Sequence, residues 1–378
     1  MRIAMVTDSY YPTRDGVVAS VTIAKEGLER LGHEVVIIAP DPGKEHRMAG
    51  VHYLPSIKFK SYPGYFIPIY PSDKTNILRK IDPDVVHIHG MAVMAMKGLI
   101  AARNLRIPTV LTFHTMVDDA IQFYSPIKAN PNAQKIAVWA YLRWLLRKAD
   151  AVIGPTASTI KVIFRNGAVM KRTEVIPTGV DINRFNPDLN GNAILERYGL
   201  RDEKIALSVG RLSYEKNIPL IINALRYTDN VKLLIGGKGP AKENLVEEAK
   251  AAGVSDRVIF VGFIPDDELP QYYAAADLFV SASGFETQGL SVLEAMACGL
   301  PAACINRRAF RDVIQDGENG FVFDGGAEEC AEAMKKCIMC DDSIRKNARA
   351  TAESLSIDSC AKKLVTLYES LIKNKVSR

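Results

Sequence analysis

The chain has 378 residues, 48% hydrophobic and 24% charged, the make-up of an ordinary globular protein with room for two domains. No run reaches the ~18 apolar residues of a membrane-spanning helix, and the N-terminus lacks a signal-peptide pattern, so neither an integral membrane protein nor a secreted one is expected. The net charge of +5 is uneven, with 24 Lys and Arg against 15 Asp and Glu in residues 1–184 (+9) and −4 over the remainder. A basic first half implies an anionic partner; no nucleic-acid module is recognisable, so nucleic acid is set aside and an anionic membrane surface is expected.

In chain order, Arg2 to Asp8 is a strand of buried type. The loop SYYPTRDG, ending at Gly16, leads into a helix that stops at Gly32, and EVVIIAP is a second strand. Strand, glycine loop, helix and strand make a Rossmann-like unit. The absence of G-x-G-x-x-G argues against a nicotinamide cofactor. The stretch Ser56 to Pro71 mixes Lys58 and Lys60 with Phe59, Tyr62, Tyr65, Phe66 and Tyr70. DVVHIHG (Asp84 to Gly90) is a further strand, and a structural role is expected for one of His87 and His89 rather than metal binding. PTVLTF is followed by His114 at the carboxyl edge, where open parallel sheets bind ligands; Asp118 and Asp119 come shortly after. Ala133 to Asp150 holds both tryptophans, Trp139 and Trp144, with Lys135, Arg143, Arg147 and Lys148. Aromatic bodies with basic tips suit a lipid headgroup layer in both stretches. The competing readings are a lid-like loop for the first and a crossover helix with a buried apolar stripe for the second.

The second half repeats the alternation. Lys204 to Asn217 is a strand, then a loop with Arg211 and Lys216, then a helix. Further strands begin at Val231 and Val258. ADLFVSAS (Ala276 to Ser283) is another, and it opens the stretch on which the functional reading turns, Gly284 to Gly299, GFETQGLSVLEAMACG. Here Glu286 sits in a loop after a strand, and Glu294 lies about one turn into a helix stopped by Gly299 and Pro301. The helix start at Gly289, Leu290 and Ser291 offers backbone N–H groups to an anion. Carboxylates repel an anion, so Glu286 and Glu294 should face neutral donors such as sugar hydroxyls. A ligand with both parts is a nucleotide sugar. The competing reading is a helix first turn whose acids merely favour its dipole. The six cysteines lie between Cys298 and Cys360 without metal-ligand clustering, which fits reduced thiols in a cytoplasmic protein.

The E-x7-E of Glu286 and Glu294 in this setting resembles the signature of retaining glycosyltransferases of the GT-B fold. The string ETQGLSVLEAMACGLP resembles the branch that glycosylates diacylglycerol and related lipids, and the resemblance runs over nearly the whole chain. It implies an α/β fold of two Rossmann-like domains with parallel sheets facing a central cleft. Residues 1–182 would bind the acceptor and 183–356 the nucleotide sugar; 357–378 would be a helix returning to the first domain. The hinge would be the PTGVD sequence before Asn183. Gly210, Arg211 and Lys216 match the family's G-R-x(4)-K grip on a diphosphate, suited to Arg as a fork and Lys as a point charge. Gly16 would let a donor phosphate approach, although relatives often carry Gly-Gly where this chain has Asp15-Gly16; a plain turn glycine is the alternative. Gly237 joins the donor site, Phe263 and Ile264 would flank the base, Glu294 would hold the ribose and Glu286 the hexose. His114 would lie against the donor sugar, or be a satisfied structural histidine. Asp118 or Asp119 would orient the acceptor hydroxyl, or cap a helix.

The expected function is therefore transfer of a hexose, glucose from a UDP-linked donor, to a lipid acceptor at the inner face of the cell membrane. No cofactor or metal is required. The rivals are transfer to a soluble sugar or sugar phosphate, a sugar-nucleotide epimerase on the same fold, and an inactive binding subunit. The presence of Arg211, Lys216, Glu286 and Glu294 together argues against the last.

Overall fold

The computed structural model describes residues 1–59, 66–69, 74–114 and 130–376. The chain divides into two compact units, Met1–Gly179 with Ile357–Arg378, and Val180–Ser356. The division falls three residues before the 182/183 boundary expected from the sequence. Val180 already forms a β-bridge with Ser356 and donates its N–H to the Leu355 carbonyl at 3.0 Å. The Arg349 guanidinium donates to the carbonyls of Ile182 and Phe185 at 3.1 and 2.9 Å. These bonds tie residues 180–185 into the second unit. The last helix, Ile357–Val376, belongs to the first.

Among the described residues, the strands of the first unit are β1 (Arg2–Thr7), β2 (Glu34–Pro40), β3 (Val51–Leu54), β4 (Ser56–Lys58), β5 (Phe66–Pro68), β6 (Val85–His89), β7 (Thr109–Thr112), β8 (Ala151–Gly154) and β9 (Thr173–Val175). Seven of them form a parallel sheet in the order β3-β2-β1-β6-β7-β8-β9, and β4 and β5 make a separate antiparallel pair. Both faces of the sheet's centre are covered, so β1 and β2 read as nearly unbroken apolar runs. In β1, Ile3 and Met5 join a cluster with Val21, Leu28 and Leu364, whereas Ala4 and Val6 join one with Leu99, Trp139 and Leu142.

That second cluster corrects the interfacial reading of the tryptophan helix, Pro131–Lys148. Trp139 is 3% exposed and stacks on Phe113 with ring centroids 6.3 Å apart. Its stripe is core, as a crossover helix requires. Ile136, Arg143 and Arg147 face outward instead. Much of the aromatic stretch after Ser56, including Lys60, Tyr62, Tyr65 and Tyr70, lies outside the described residues.

The helix Gly16–Arg30 meets the terminal helix at Gly27, where a Cβ would lie 2.8 Å from Ile357 Cγ2 and 2.9 Å from Ala361 Cβ. Gly27→Val is expected to push the two helices apart and cost about 1–3 kcal/mol. Thermal unfolding tests this, and an unchanged Tm would show that the contact does not set their spacing. The terminal helix is also held by Tyr368, whose hydroxyl bonds His87 Nδ1 at 2.6 Å inside the core.

The second unit contains β10 (Lys204–Val209), β11 (Val231–Gly236), β12 (Val258–Gly262), β13 (Leu278–Ser281), β14 (Ala302–Ile305) and β15 (Phe321–Phe323). They form one parallel sheet in the order β12-β11-β10-β13-β14-β15. Both units are thus Rossmann-like. In each sheet the strand order reverses beside the first strand, between β1 and β6 and between β10 and β13. Open α/β sheets bind ligands at the carboxyl ends of strands at such reversals. No helix among the described residues is long and apolar enough to cross a membrane.

Candidate functional site

In the second unit the reversal point carries an ion pair. Lys216 ends the turn Tyr214–Lys216 after β10, and Glu286 stands in the loop after the neighbouring β13. The Lys216 ammonium donates to Glu286 Oε1, with both side chains mostly covered. Burial works to raise the Glu286 carboxyl's pKa, but the adjacent Lys216 charge and hydrogen bond outweigh it and hold the group below its ordinary range. Burial works to lower the Lys216 ammonium's, and Glu286 outweighs that in turn. The pair is therefore ionised at neutral pH. Arg211 lies exposed just past the end of β10.

The strand ends around this pair are in unusually close backbone contact. Gly237 follows β11 with φ +134°, and a Cβ there would lie 1.8 Å from the Gly210 carbonyl oxygen. Its N–H donates to the Gly262 carbonyl at 2.6 Å, and the Gly210 N–H donates to Gly236 at 3.0 Å. Only glycine allows this approach. Past β12, Phe263 is 48% exposed with the Lys238 ammonium 6.0 Å from its ring centre. Ile264, expected beside it against a base, is only 7% exposed and belongs to the core; a Cβ on Gly236 would lie 2.4 Å from its Cδ1.

Gly289 is the N-cap of the helix Leu290–Ala297. Its φ is +80°, and a Cβ would meet the Phe310 ring at 2.4 Å. With glycine as N-cap, no capping side chain comes from that position to cover the first-turn amides of Leu290 and Ser291. Glu294, one turn on, accepts a hydrogen bond from the Tyr273 hydroxyl to Oε2 at 2.7 Å. Burial pushes its carboxyl up to about 7, against the Tyr273 hydrogen bond and the charge of Arg184.

In the first unit the helix after Gly16 is arranged differently. The Asp15 carboxylate accepts from the amides of Val17 and Val18 at 2.9 and 2.8 Å. The donors that a phosphate near Gly16 would use are already taken by a carboxylate, which disfavours that expected role. A Cβ at Gly16 would meet nothing within 4 Å. Asp8, at the end of β1, caps the helix Val93–Asn104 through the amides of Ala92 and Met94 at 2.7 and 2.8 Å. Burial raises its carboxyl to about 6, opposed by those amide bonds.

His114 follows β7 and pairs through Nε2 with His89 Nδ1 at 3.0 Å. His87, on the same face of β6, bonds Thr112 Oγ1 at 2.7 Å and Tyr368. Burial lowers His114 to about 4 and His87 to about 3, and lowers His89 well below its ordinary value, so all three rings are neutral at pH 7. The structural role expected for one of His87 and His89 fits His87, whose two ring nitrogens bond Tyr368 and Thr112. Asp118 and Asp119 lie outside the described residues. Among the described residues no group of three His, Cys, Asp or Glu is placed to hold a metal ion.

The structure therefore joins Lys216 to Glu286, sets Gly210 against Gly237, and places Arg211 and Phe263 at the same sheet edge. Three residues with a part in these arrangements, Asp8, Tyr273 and Tyr368, escaped the sequence reading. Only Asp8 left a signal: a carboxylate closing an apolar strand at the carboxyl edge of a sheet.

The family model described as Glycosyl transferases group 1 matches residues 193–354, and that described as Glycosyltransferase Family 4 matches residues 14–184. An alpha-monoglucosyldiacylglycerol synthase of Acholeplasma laidlawii is 31% identical, covering 98% of this chain and 98% of its own. A protein of the same name from Streptococcus pneumoniae is 29% identical, covering 100% of this chain and 88% of its own. A GDP-mannose-dependent alpha-mannosyltransferase of Mycobacterium tuberculosis is 32% identical over 87% of this chain and 85% of its own. Among solved structures, Anabaena HepE in complex with UDP and glucose aligns with a TM-score of 0.78 at 21% identity, covering 98% of this chain and 100% of that one.

Proposed function

The chain belongs to the GT-B glycosyltransferases of the glycolipid branch, and from that premise we propose that it moves glucose from UDP-glucose to a membrane lipid such as diacylglycerol, with retention of anomeric configuration. The observation that carries this reading is the Lys216–Glu286 ion pair at the strand-order reversal, with Arg211 on the same loop as Lys216. In the proposed reaction the acceptor oxygen bonds the anomeric carbon on the face from which the diphosphate departs. The carbon–oxygen bond to the diphosphate breaks, and the acceptor proton passes to a phosphate oxygen. Arg211 and Lys216 stabilise the charge that grows on the leaving group, where preorganised cations contribute most. These side chains supply positive charge that a metal would otherwise bring. Glu286 holds the hexose, His114 contacts it as a neutral ring, Glu294 holds the ribose, and Asp118 or Asp119 orients the acceptor.

Glucose and diacylglycerol are favoured by the names of the two synthases, and UDP by the complex of the structural neighbour. The mannosyltransferase relative favours GDP-mannose as the second reading. A panel of labelled UDP- and GDP-sugars, offered with lipid extracts and with water-soluble acceptors, separates them. Label in a chloroform-soluble glycolipid from UDP-glucose alone supports the proposal. Label only in soluble glycosides, or an isomerised donor, overturns it.

We place the membrane contact on the outer face of the first unit rather than on its tryptophans. Ile136, Phe164 and Val169 are 67%, 53% and 71% exposed, and the basic residues Arg143, Arg147, Lys161 and Arg165 are exposed as well. Arg143 Nη1 donates to the Asn166 carbonyl at 3.4 Å, joining the tryptophan helix to the loop that carries Val169. Basic side chains near an anionic surface contribute ~1 kcal/mol each, screened by salt, while apolar insertion is less salt-sensitive. The protein is expected to sediment with anionic vesicles at low salt and partly release at high salt. Lys161→Ser with Arg165→Ser should remove the salt-sensitive part, and Phe164→Ser with Val169→Ser the remainder. Trp139→Ala should lower Tm and leave vesicle binding by the folded fraction intact. A wild type that ignores anionic vesicles would overturn this contact.

A further inference from the structure

Tyr273 lies in the helix Leu269–Ala274 and is 1% exposed. Its ring is set against Phe185, edge to face at 5.6 Å, and against Phe279 at 6.0 Å. A ring so enclosed keeps one orientation, and its hydroxyl is fixed with it. Burial holds the phenol well above its ordinary pKa, so it remains a donor at neutral pH. The acceptor is Glu294 Oε2 at 2.7 Å.

The terminal torsion of a glutamate is broad, and a carboxylate held by nothing else samples many orientations. A strong bond to Oε2 restricts rotation of the carboxylate and leaves Oε1 with its full acceptor capacity. Other groups that act on Glu294 are Arg184, Asp266 and the Cys298 thiol. None of these is a neutral donor buried in an aromatic cage. We propose that Tyr273 is a positioning residue for donor recognition: its hydroxyl orients the Glu294 carboxylate so that the opposite oxygen receives the ribose hydroxyls of the nucleotide. This rests on the ribose role of Glu294 proposed above.

The two ideas separate by experiment. UDP and GDP are titrated calorimetrically into the wild type, Tyr273→Phe, Glu294→Gln and the double variant between pH 6 and 9, and the tighter nucleotide is followed. An ionised Glu294 accepts hydrogen bonds, so affinity should fall as pH drops through its pKa. The Tyr273 bond favours the ionised form, so in Tyr273→Phe that fall should begin at higher pH. At pH 7 Tyr273→Phe should weaken binding about tenfold, raise KM for the donor and leave kcat nearly unchanged. The loss on using the 2′-deoxy nucleotide should be smaller in the variant than in the wild type. In the Glu294→Gln background the tyrosine substitution should have little further effect. Phe279→Leu, which disturbs the cage without removing a donor, should not move the pH midpoint, and it guards against a packing artefact if Tyr273→Phe folds poorly. A normal pH midpoint and normal affinity in Tyr273→Phe, with Glu294→Gln impaired, overturns the positioning role alone. Normal nucleotide binding in Glu294→Gln overturns the ribose reading itself.

Discussion

Lys216→Ala is expected to lower turnover by about 10²-fold or more, the loss that follows removal of a preorganised charge partner. Arg211→Ala should do the same. The lysine substitution carries a second effect that separates it from the arginine one. Lys216 is the main group that outweighs the burial of Glu286 and holds it ionised; without the lysine, a mostly covered carboxylate is left facing no ammonium. Breaking such a pair from one side should cost about 1–3 kcal/mol at neutral pH, less than for a fully buried pair. The sign with pH is definite. The folded pKa of Glu286 lies below its unfolded value, so the pair's stabilisation is present above the unfolded pKa and is lost as pH falls through the folded one. The gap in Tm between wild type and Lys216→Ala should therefore narrow on acidification. Lys216→Met with Glu286→Gln should recover stability while transferring almost no label. If Lys216→Ala keeps near-normal turnover, the diphosphate grip is wrong; if the double variant is less stable than the single one, the ion-pair account is wrong.

Gly237→Ala should be the most damaging single methyl in the second unit. The added carbon would fall 1.8 Å from the Gly210 oxygen, at a backbone angle of φ +134° that L residues avoid. The atom it meets is backbone, so no side chain can swing away, and β10 and β11 must separate at their carboxyl ends. A loss on the order of 3 kcal/mol or more is expected, together with loss of nucleotide binding. Gly16→Ala is the contrasting case. Its Cβ enters open space, so Tm should change by less than about 0.5 kcal/mol equivalent. Comparable melting of the two variants would refute the close packing described here.

Much of this architecture was legible because both sheets are covered on two faces. Ile3 and Met5 go to one side and Ala4 and Val6 to the other, so β1 reads as a solid apolar run, as do β10, β11 and β13 in the second unit. The amphipathic helix at Trp139 was less legible. An aromatic stripe with basic neighbours looks alike whether it faces lipid or a sheet, and only Phe113 behind it decides. Lys216 and Glu286 were each recognisable, but not their pairing. They are 70 positions apart, and what joins them is the adjacency of β10 and β13, a fact of strand order that local pattern does not hold. Tyr273 sits among apolar neighbours in QYYAAAD, where a tyrosine with a fixed hydroxyl partner and one that merely packs have the same spelling.

The bond between His87 and Tyr368 spans 281 positions. Chains are made at about 5–20 residues per second, so roughly 15–60 s separate the appearance of the two residues on the ribosome. Through that interval the sheet of the first unit has no Leu364, Leu367 or Tyr368 against one of its faces. The stretch Val180–Ser356 is continuous and has all its strands as soon as it emerges. The unit that starts second is therefore the first whose residues have all been synthesised, ahead of the other by the length of the terminal helix.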